Sequence, residues 1–426
     1  MNIKAEESYV EPSRKGFVTN YPSFQYWKKS AVEEMLTEKP ISVYVHIPFC
    51  IQRCAYCYYR TITLKGSERP EIDRYVDAVC REIEIAAKRF HLKDKHVVSI
   101  YFGGGTPTLL KEGHLSKIIE CLHENLSIDD EHEFTVEAEP VTLTEKKADI
   151  LKKFDVNRIS LGIQSFCDEV VKLSGRKDTE KKALKAIEMA KATGAVVNID
   201  LLSGLAGDTQ ETWADTIKRA LSTNIESITV YKMELYANTA YSAGVRKKTL
   251  ELPSDAQEIE FMRYAIEQFE QAQYFPWSSF TFTKMGHYVH TYPINMFRGN
   301  DYYGFGASAF GFLGDYGLLQ NTNDLERYVA AVEANELPLS RGYQLTSLER
   351  MIRNVALEMK LVRLDLKEFQ RKHGFKLDSL CASTIKQLEL EGFISTSEKE
   401  IELTSKGILY GDYVGKRLTR CLMEMS

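Results

Sequence analysis

The sequence predicts an α/β protein: parallel strands joined by crossover helices, followed by a smaller helical unit. Two patterns and one number carry that expectation. Between residues 41 and 233, short apolar runs rich in Val and Ile alternate with segments whose apolar residues recur at helical spacing. Beyond Pro338 the pattern changes to consecutive helical segments and one short hairpin. A length of 426 residues leaves room for one large domain and a smaller one.

Residues 1–40 begin polar and then carry Phe17-Val18-Thr19-Asn20-Tyr21-Pro22-Ser23, read as an N-terminal arm that packs on the barrel. Residues 41–49 read as the first strand. Ile72, Val76, Val79, Ile83 and Ala86 form one helical face across 70–90. Further strands are predicted at 97–102, 134–138, 159–164, 196–202 and 227–233. Helices at 115–126, 145–154, 181–192 and 211–222 fall between them, and Gly194 closes the third of these. This alternation argues for a parallel sheet. The count is about six strands, fewer than the eight of a closed barrel; an open barrel leaves a wide mouth at the strands' C-terminal ends, where such sheets bind ligands.

After Pro253 another helix is expected at 254–272. Residues 275–320 are rich in aromatics and glycine, and most of these aromatics read as core closing the barrel's edge. Residues 321–335 read as a helix. Helices at 346–360, 366–373 and 377–391 and a hairpin at 392–403 resemble a winged-helix unit. The predicted organisation is an arm at 1–40, the main unit at 41–338 and a C-terminal unit at 339–426.

The formal net charge of −5 gives no basic footprint for nucleic acid and no polybasic patch for a membrane. No apolar run approaches the roughly 20 residues needed to span a bilayer, and the N-terminal stretch lacks an apolar signal core. Eight cysteines in a chain this long, three of them clustered, fit a reducing cytoplasm better than a disulfide scaffold.

The three clustered cysteines stand in Tyr44-Val45-His46-Ile47-Pro48-Phe49-Cys50-Ile51-Gln52-Arg53-Cys54-Ala55-Tyr56-Cys57. Three thiolates on one short loop can each ligate one iron of a cubane cluster, leaving one iron open to a ligand. A structural zinc site stays open on these residues too, with His46 as a further ligand.

This stretch resembles the cluster motif of radical S-adenosylmethionine enzymes. The surrounding words resemble the branch of the oxygen-independent coproporphyrinogen III oxidases. That branch includes haem chaperones, haem-opening methyltransferases, and class C radical methyltransferases and cyclopropanases. The likeness covers nearly the whole chain. It implies a partial (βα)6 radical-SAM barrel, a C-terminal lid or substrate-side unit, and a 4Fe-4S cluster on Cys50, Cys54 and Cys57. It also implies two molecules of S-adenosylmethionine.

By the same resemblance Tyr44, Gly104, Glu137 and Phe310 serve the first cofactor molecule. Tyr56, Gly105, Thr106, Gln164, Arg176 and Asp200 serve the second. The residue types suit those roles. Glycines at a strand end, as in Phe102-Gly103-Gly104-Gly105-Thr106-Pro107, let a ligand approach the backbone. A carboxylate at Glu137 or Asp200 can accept from ribose hydroxyls or an ammonium group. Arg176 can clamp a carboxylate bidentately, the plain alternative being a structural ion pair.

The resemblance further implies reductive cleavage of S-adenosylmethionine to a deoxyadenosyl radical. A small-molecule substrate (a natural product or a tetrapyrrole), a flavodoxin- or ferredoxin-type electron donor and a cytoplasmic monomer go with it. Two departures bear on the reaction. Tyr59 stands where the oxidases carry a further cysteine, and His290-Thr291-Tyr292 departs from the chaperones' His-Asn word. The Cys57-Tyr58-Tyr59 ending looks more like the class C enzymes. The expectation is therefore class C methyl or methylene transfer ahead of oxidative decarboxylation of a porphyrinogen propionate, with a non-enzymatic haem chaperone as the competing class.

Overall fold

A computed structural model describes residues 20–27, 40–64, 70–314 and 317–424. Strands β1 (Ile41–Ile47), β2 (His96–Gly104), β3 (Ser127–Ala138), β4 (Arg158–Gln164), β5 (Val196–Ser203) and β6 (Ser227–Lys232) pair in that order, all parallel. A helix follows each: α1 (Pro70–Arg89), α2 (Glu112–Asn125), α3 (Glu145–Lys153), α4 (Glu180–Ala192), α5 (Gln210–Ser222) and α6 (Asp255–Gln271). Alternate strand residues explain the layering. Val43, Val45, Ile100, Phe102, Val136, Ile159, Ile199 and Ile228 are fully buried in one apolar core with Val79, Ile83, Ile119, Ile187 and Trp213 of the helices. Helix entries are fixed locally: Thr209 and Ser254 close capping boxes at α5 and α6.

The barrel stays open because both edges are extended by other strands. They are β7 (Tyr274–Pro276), β8 (Thr281–Lys284), β9 (Asp301–Phe305), β10 (Phe310–Leu313), β11 (Gly317–Asn321) and β12 (Leu339–Tyr343). Among the described residues the sheet order is β12-β11-β10-β9-β1-β2-β3-β4-β5-β6-β8-β7. β9 runs parallel to β1, and the remaining additions are antiparallel. The aromatic-rich region is thus mostly sheet edge. The helix expected at 321–335 begins later, at Leu325, because Asn321 is the last residue of β11. β3 starts at Ser127 rather than 134; the acidic run Asp129-Asp130-Glu131 hides its first half from an apolar pattern.

The arm's Phe17-Val18-Thr19 lie outside the described residues. The part described packs as expected. Trp27 Nε1 donates to the Pro22 carbonyl at 3.1 Å, and Phe24 stacks on Phe310 with centroids 4.9 Å apart.

In the C-terminal region helices Ser347–Glu358, Leu366–His373, Leu377–Leu380 and Ala382–Leu390 precede a hairpin, Ile394–Thr396 with Glu400–Leu403. Arg363–Asp365 adds a third strand to it, the arrangement of a winged helix. Helix Tyr413–Met423, not foreseen, comes after the hairpin. Cys381 and Cys421 form a disulfide, although the cysteine usage reads as that of a reducing cytoplasm more than of a disulfide scaffold. The residues lie 40 apart in sequence, so nothing in their spacing announced the pair. No described helix is long and apolar enough to cross a membrane.

Candidate functional site

The three-cysteine loop leaves the C-terminal end of β1, where Phe49–Cys50 pairs with Ile62–Thr63. The glycine run after β2 closes against it. Gly105 N–H donates to the Ile47 carbonyl at 2.7 Å and Thr106 N–H to the Phe49 carbonyl at 2.8 Å. A Cβ on Gly105 would lie 2.6 Å from the Phe49 oxygen and 3.0 Å from Cys50 Sγ, so the close approach requires glycine. Thr106 Oγ1 donates to Cys50 Sγ at 3.7 Å, and Arg176 Nη1 to Cys54 Sγ at 3.6 Å.

These donors fit an iron–sulfur cluster. Burial pushes the Cys50 thiol up to about 12, so its thiolate needs positive charge beside it. Among the described residues no three His, Cys, Asp or Glu side chains gather around one metal ion. His46, the zinc candidate, is turned to Tyr44, whose hydroxyl lies 3.1 Å from Nδ1.

Two chambers that share wall residues lie in the barrel, one at the strands' C-terminal ends and one reaching past Arg158, the first residue of β4. The outer, about 370 Å³, is walled by Tyr56, Cys57, Gly105, Thr106, Gln164 and Arg176. The inner, about 530 Å³, is walled by Tyr44, His46, Arg158, Phe310 and Arg353. Glu137, Asp200, Tyr101 and Tyr231 border both. The fold therefore brings most of the sequence-predicted residues to these chambers and sorts them. Those matched to the second cofactor line the outer chamber. Tyr44 and Phe310 line the inner one. Gly104 lines neither; its N–H donates to Glu137 Oε2 at 3.1 Å. Its φ is +110°, and the His46 ring stands 2.5 Å from where a Cβ would be.

Glu137 also accepts from the Tyr101 hydroxyl at 2.5 Å. Burial pushes its carboxyl up to about 7, with nearby Asp200 adding to the rise. Asp200 accepts from Ser160 Oγ and Asn198 Nδ2, each at 2.9 Å, and burial lifts it to about 6. Arg176 is almost fully buried. Its Nε donates to Asp178 Oδ2 at 2.9 Å, Nη1 to Glu139 Oε1 at 3.3 Å and Nη2 to the Gly162 carbonyl at 2.8 Å. The plain ion pair is thus present, and it fixes the guanidinium at the chamber wall. Gln164 has φ +68°, at the point where the β4–β5 register slips after Gly162. Such strain in a non-glycine residue concentrates at functional sites.

Several wall residues were missed: Tyr101, Arg158, Ser160, Asn198, Tyr231, and His290, whose Nε2 lies 3.1 Å from Glu133 Oε1. Their signal is polar residues at every second strand position: Glu133, Thr135 and Glu137 on β3, Arg158 and Ser160 on β4, Asn198 and Asp200 on β5. Tyr59 borders both chambers and stacks on Tyr58 with centroids 4.3 Å apart, and Tyr58 stacks in turn on Tyr236 at 4.0 Å.

Comparison with known proteins adds to this geometry. Residues 44–220 match the Radical SAM superfamily. The chain is 30% identical to the heme chaperone HemW of Bacillus subtilis, over 88% of this chain and 97% of that protein. It is 31% identical to the oxygen-independent coproporphyrinogen III oxidase of Salmonella typhimurium, over 87% and 84%. The solved structure of the Escherichia coli oxidase HemN superposes with a TM-score of 0.80 at 26% identity, covering 95% of this chain and 96% of that one. These full-length matches overturn the expectation of class C methyl or methylene transfer. They point instead to a porphyrinogen-oxidase type of radical reaction. The Tyr58-Tyr59 ending that suggested otherwise is two residues of local wording set against a likeness of the whole fold.

Proposed function

We propose, since the chain belongs to the radical S-adenosylmethionine family of oxygen-independent coproporphyrinogen III oxidases and haem chaperones, that it oxidatively decarboxylates a propionate side chain of a porphyrinogen. The observation that carries this reading is the match to the coproporphyrinogen oxidase over nearly the whole of both chains, C-terminal unit included. The arm at residues 20–27 supports an enzyme over a chaperone, because Asn20 and Phe24 help close the inner chamber. A radical reaction needs such a cover.

Family membership brings an iron–sulfur cluster and S-adenosylmethionine. Cys50, Cys54 and Cys57 are assigned to the cluster. Tyr44, Gly104, Glu137 and Phe310 are assigned to a first S-adenosylmethionine, and Tyr56, Gly105, Thr106, Gln164, Arg176 and Asp200 to a second. When bound, these groups supply hydrogen-atom abstraction driven by one-electron reduction. The protein's own residues orient and exclude. Glu137 offers a carboxylate held by Tyr101 and the Gly104 N–H. Arg176 offers fixed positive charge beside Cys54. The stacked Tyr58 and Tyr236 rings form part of the outer chamber's wall. The substrate loses a hydrogen atom from the ring-attached carbon of the propionate, the one β to the carboxylate. The carboxylate leaves as carbon dioxide, one further electron passes to an acceptor, and a vinyl group remains. A flavodoxin- or ferredoxin-type protein is the proposed donor to the cluster. Residues 41–338 form the proposed barrel unit and 339–426 the unit that closes it.

The test is an anaerobic reaction of reconstituted protein with coproporphyrinogen III, S-adenosylmethionine and reductant, read by mass spectrometry. Deoxyadenosine together with carbon dioxide and a vinyl product is expected. Tight haem binding with no cleavage of S-adenosylmethionine would replace this reading with the chaperone one.

A further inference from the structure

The inner chamber holds a cation that no carboxylate among the described residues answers. Arg353, on helix Ser347–Glu358, is only 3% exposed, and its side chain borders the chamber. The guanidinium lies over the Phe312 ring, 4.6 Å from its centroid, with Tyr302 beside it. Its Nε has no hydrogen-bond partner, and among the described residues no carboxylate pairs with it. The contrast with Arg158 is instructive. Arg158 is equally buried and its Nε is also unpartnered, yet Glu133 and Asp200 stand close enough to balance its charge. A buried guanidinium without a counter-charge is costly, and an arriving anion removes that cost.

The chamber limits what the anion can be. Glu137 and Asp200 on its wall repel a dianion such as phosphate. Trp277, Phe280, Tyr292 and Phe310 give it flat aromatic sides. A singly charged carboxylate on a planar, largely apolar body satisfies both, and Arg matches a carboxylate bidentately. We propose that Arg353 anchors a non-reacting propionate of the tetrapyrrole at its own end of the inner chamber, beside the S-adenosylmethionine assigned to Tyr44, Glu137 and Phe310, and so presents another propionate to the cofactor. The identity of the ligand rests on the proposed porphyrinogen reaction; the anion site itself does not.

The experiment titrates the reconstituted holoenzyme with coproporphyrin III and with its uncharged tetramethyl ester, following porphyrin fluorescence. Wild type is expected to bind the acid more tightly than the ester by about 30-fold or more. Arg353→Gln should bind the two alike, and Arg353→Lys, which keeps charge but not the fork, should fall between. The lysine variant also guards against a folding artefact, since it retains the buried cation. Equal acid binding by wild type and Arg353→Gln overturns the anchor. A second source of carboxylate is the methionyl end of S-adenosylmethionine. A raised cofactor KM in Arg353→Gln, with porphyrin binding unchanged, assigns the arginine there and overturns the proposal. If wild type binds neither porphyrin, the tetrapyrrole reading fails by itself. The anchor is then decided with 3-phenylpropionate, a singly charged carboxylate on a planar apolar body, which must protect wild type but not Arg353→Gln against thermal unfolding. Absence of protection in both overturns it.

Discussion

Glu137 shows how much one position can carry. Its carboxyl sits at about 7 because burial and Asp200 disfavour the charge more than Tyr101 and the Gly104 N–H favour it. As a folded-state value raised from 4.5, it favours the protonated fold. That contribution is complete below the unfolded value and is lost as pH rises through about 7. Asp200, raised from 3.8 to about 6, acts in the same direction. The ligand-free protein should therefore lose thermal stability between about pH 4 and about pH 7, and Glu137→Gln should lose less of it. Melting curves across that range check the sign; a steeper loss in the variant would contradict it. S-adenosylmethionine should bind more tightly as Glu137 ionises, and the pH dependence should flatten in Glu137→Gln.

At this scale the sequence was legible where a motif stood at a strand end, as with Glu137 and Asp200. Tyr101, Ser160 and Asn198 are ordinary residues one at a time. Only parallel register, with Ser160 beside Asn198 and Glu137, shows that they share a wall.

Among elements, the loop after β1 and the turn after β2 act as one device. The Gly105 and Thr106 amides bond back to Ile47 and Phe49, so the turn is a template against which Cys50 is set. Gly105→Val should crowd the Phe49 oxygen and Cys50 sulfur, and anaerobic reconstitution should yield far less iron and sulfide per chain. Gly113→Ala is the control, since nothing lies within 4 Å of a Cβ there. Full cluster loading of the valine variant would show that the turn does not template the loop. Cys54→Ala should lose the cluster for the direct reason that a ligand is gone. The six βα pairs were readable because β-branched runs and helical faces alternate. The stretch from 275 to 343 was not. β9 returns to pair with β1 across a separation of about 260 residues, and no local period encodes a partner that distant.

Over the whole molecule, the boundary at 338 marks a change of pattern but not a break in packing. One apolar core runs from Val43, Phe102 and Ile199 of the barrel to Ile352, Val355, Leu364, Phe369 and Leu418 of the C-terminal region. The Ser279 N–H donates to the Lys360 carbonyl at 2.8 Å, and Lys360 is ion-paired with Asp412, which borders the outer chamber. A shared core means that neither part can open without exposing apolar surface of the other. The two parts should therefore unfold together. Hydrogen exchange under rising denaturant should release the amides of β3 and of helix Ser347–Glu358 at the same midpoint. Helix release at clearly lower denaturant, with β3 still protected, would make the C-terminal unit an independent domain. A chain ending at Tyr343 should then fold and bind iron normally, instead of exposing the barrel face that Ile352 and Val355 cover. The cooperative outcome has a functional corollary. Arg353 and Asp412 are chamber walls supplied from beyond the boundary, so a site that depends on both units works only while they stay packed as one.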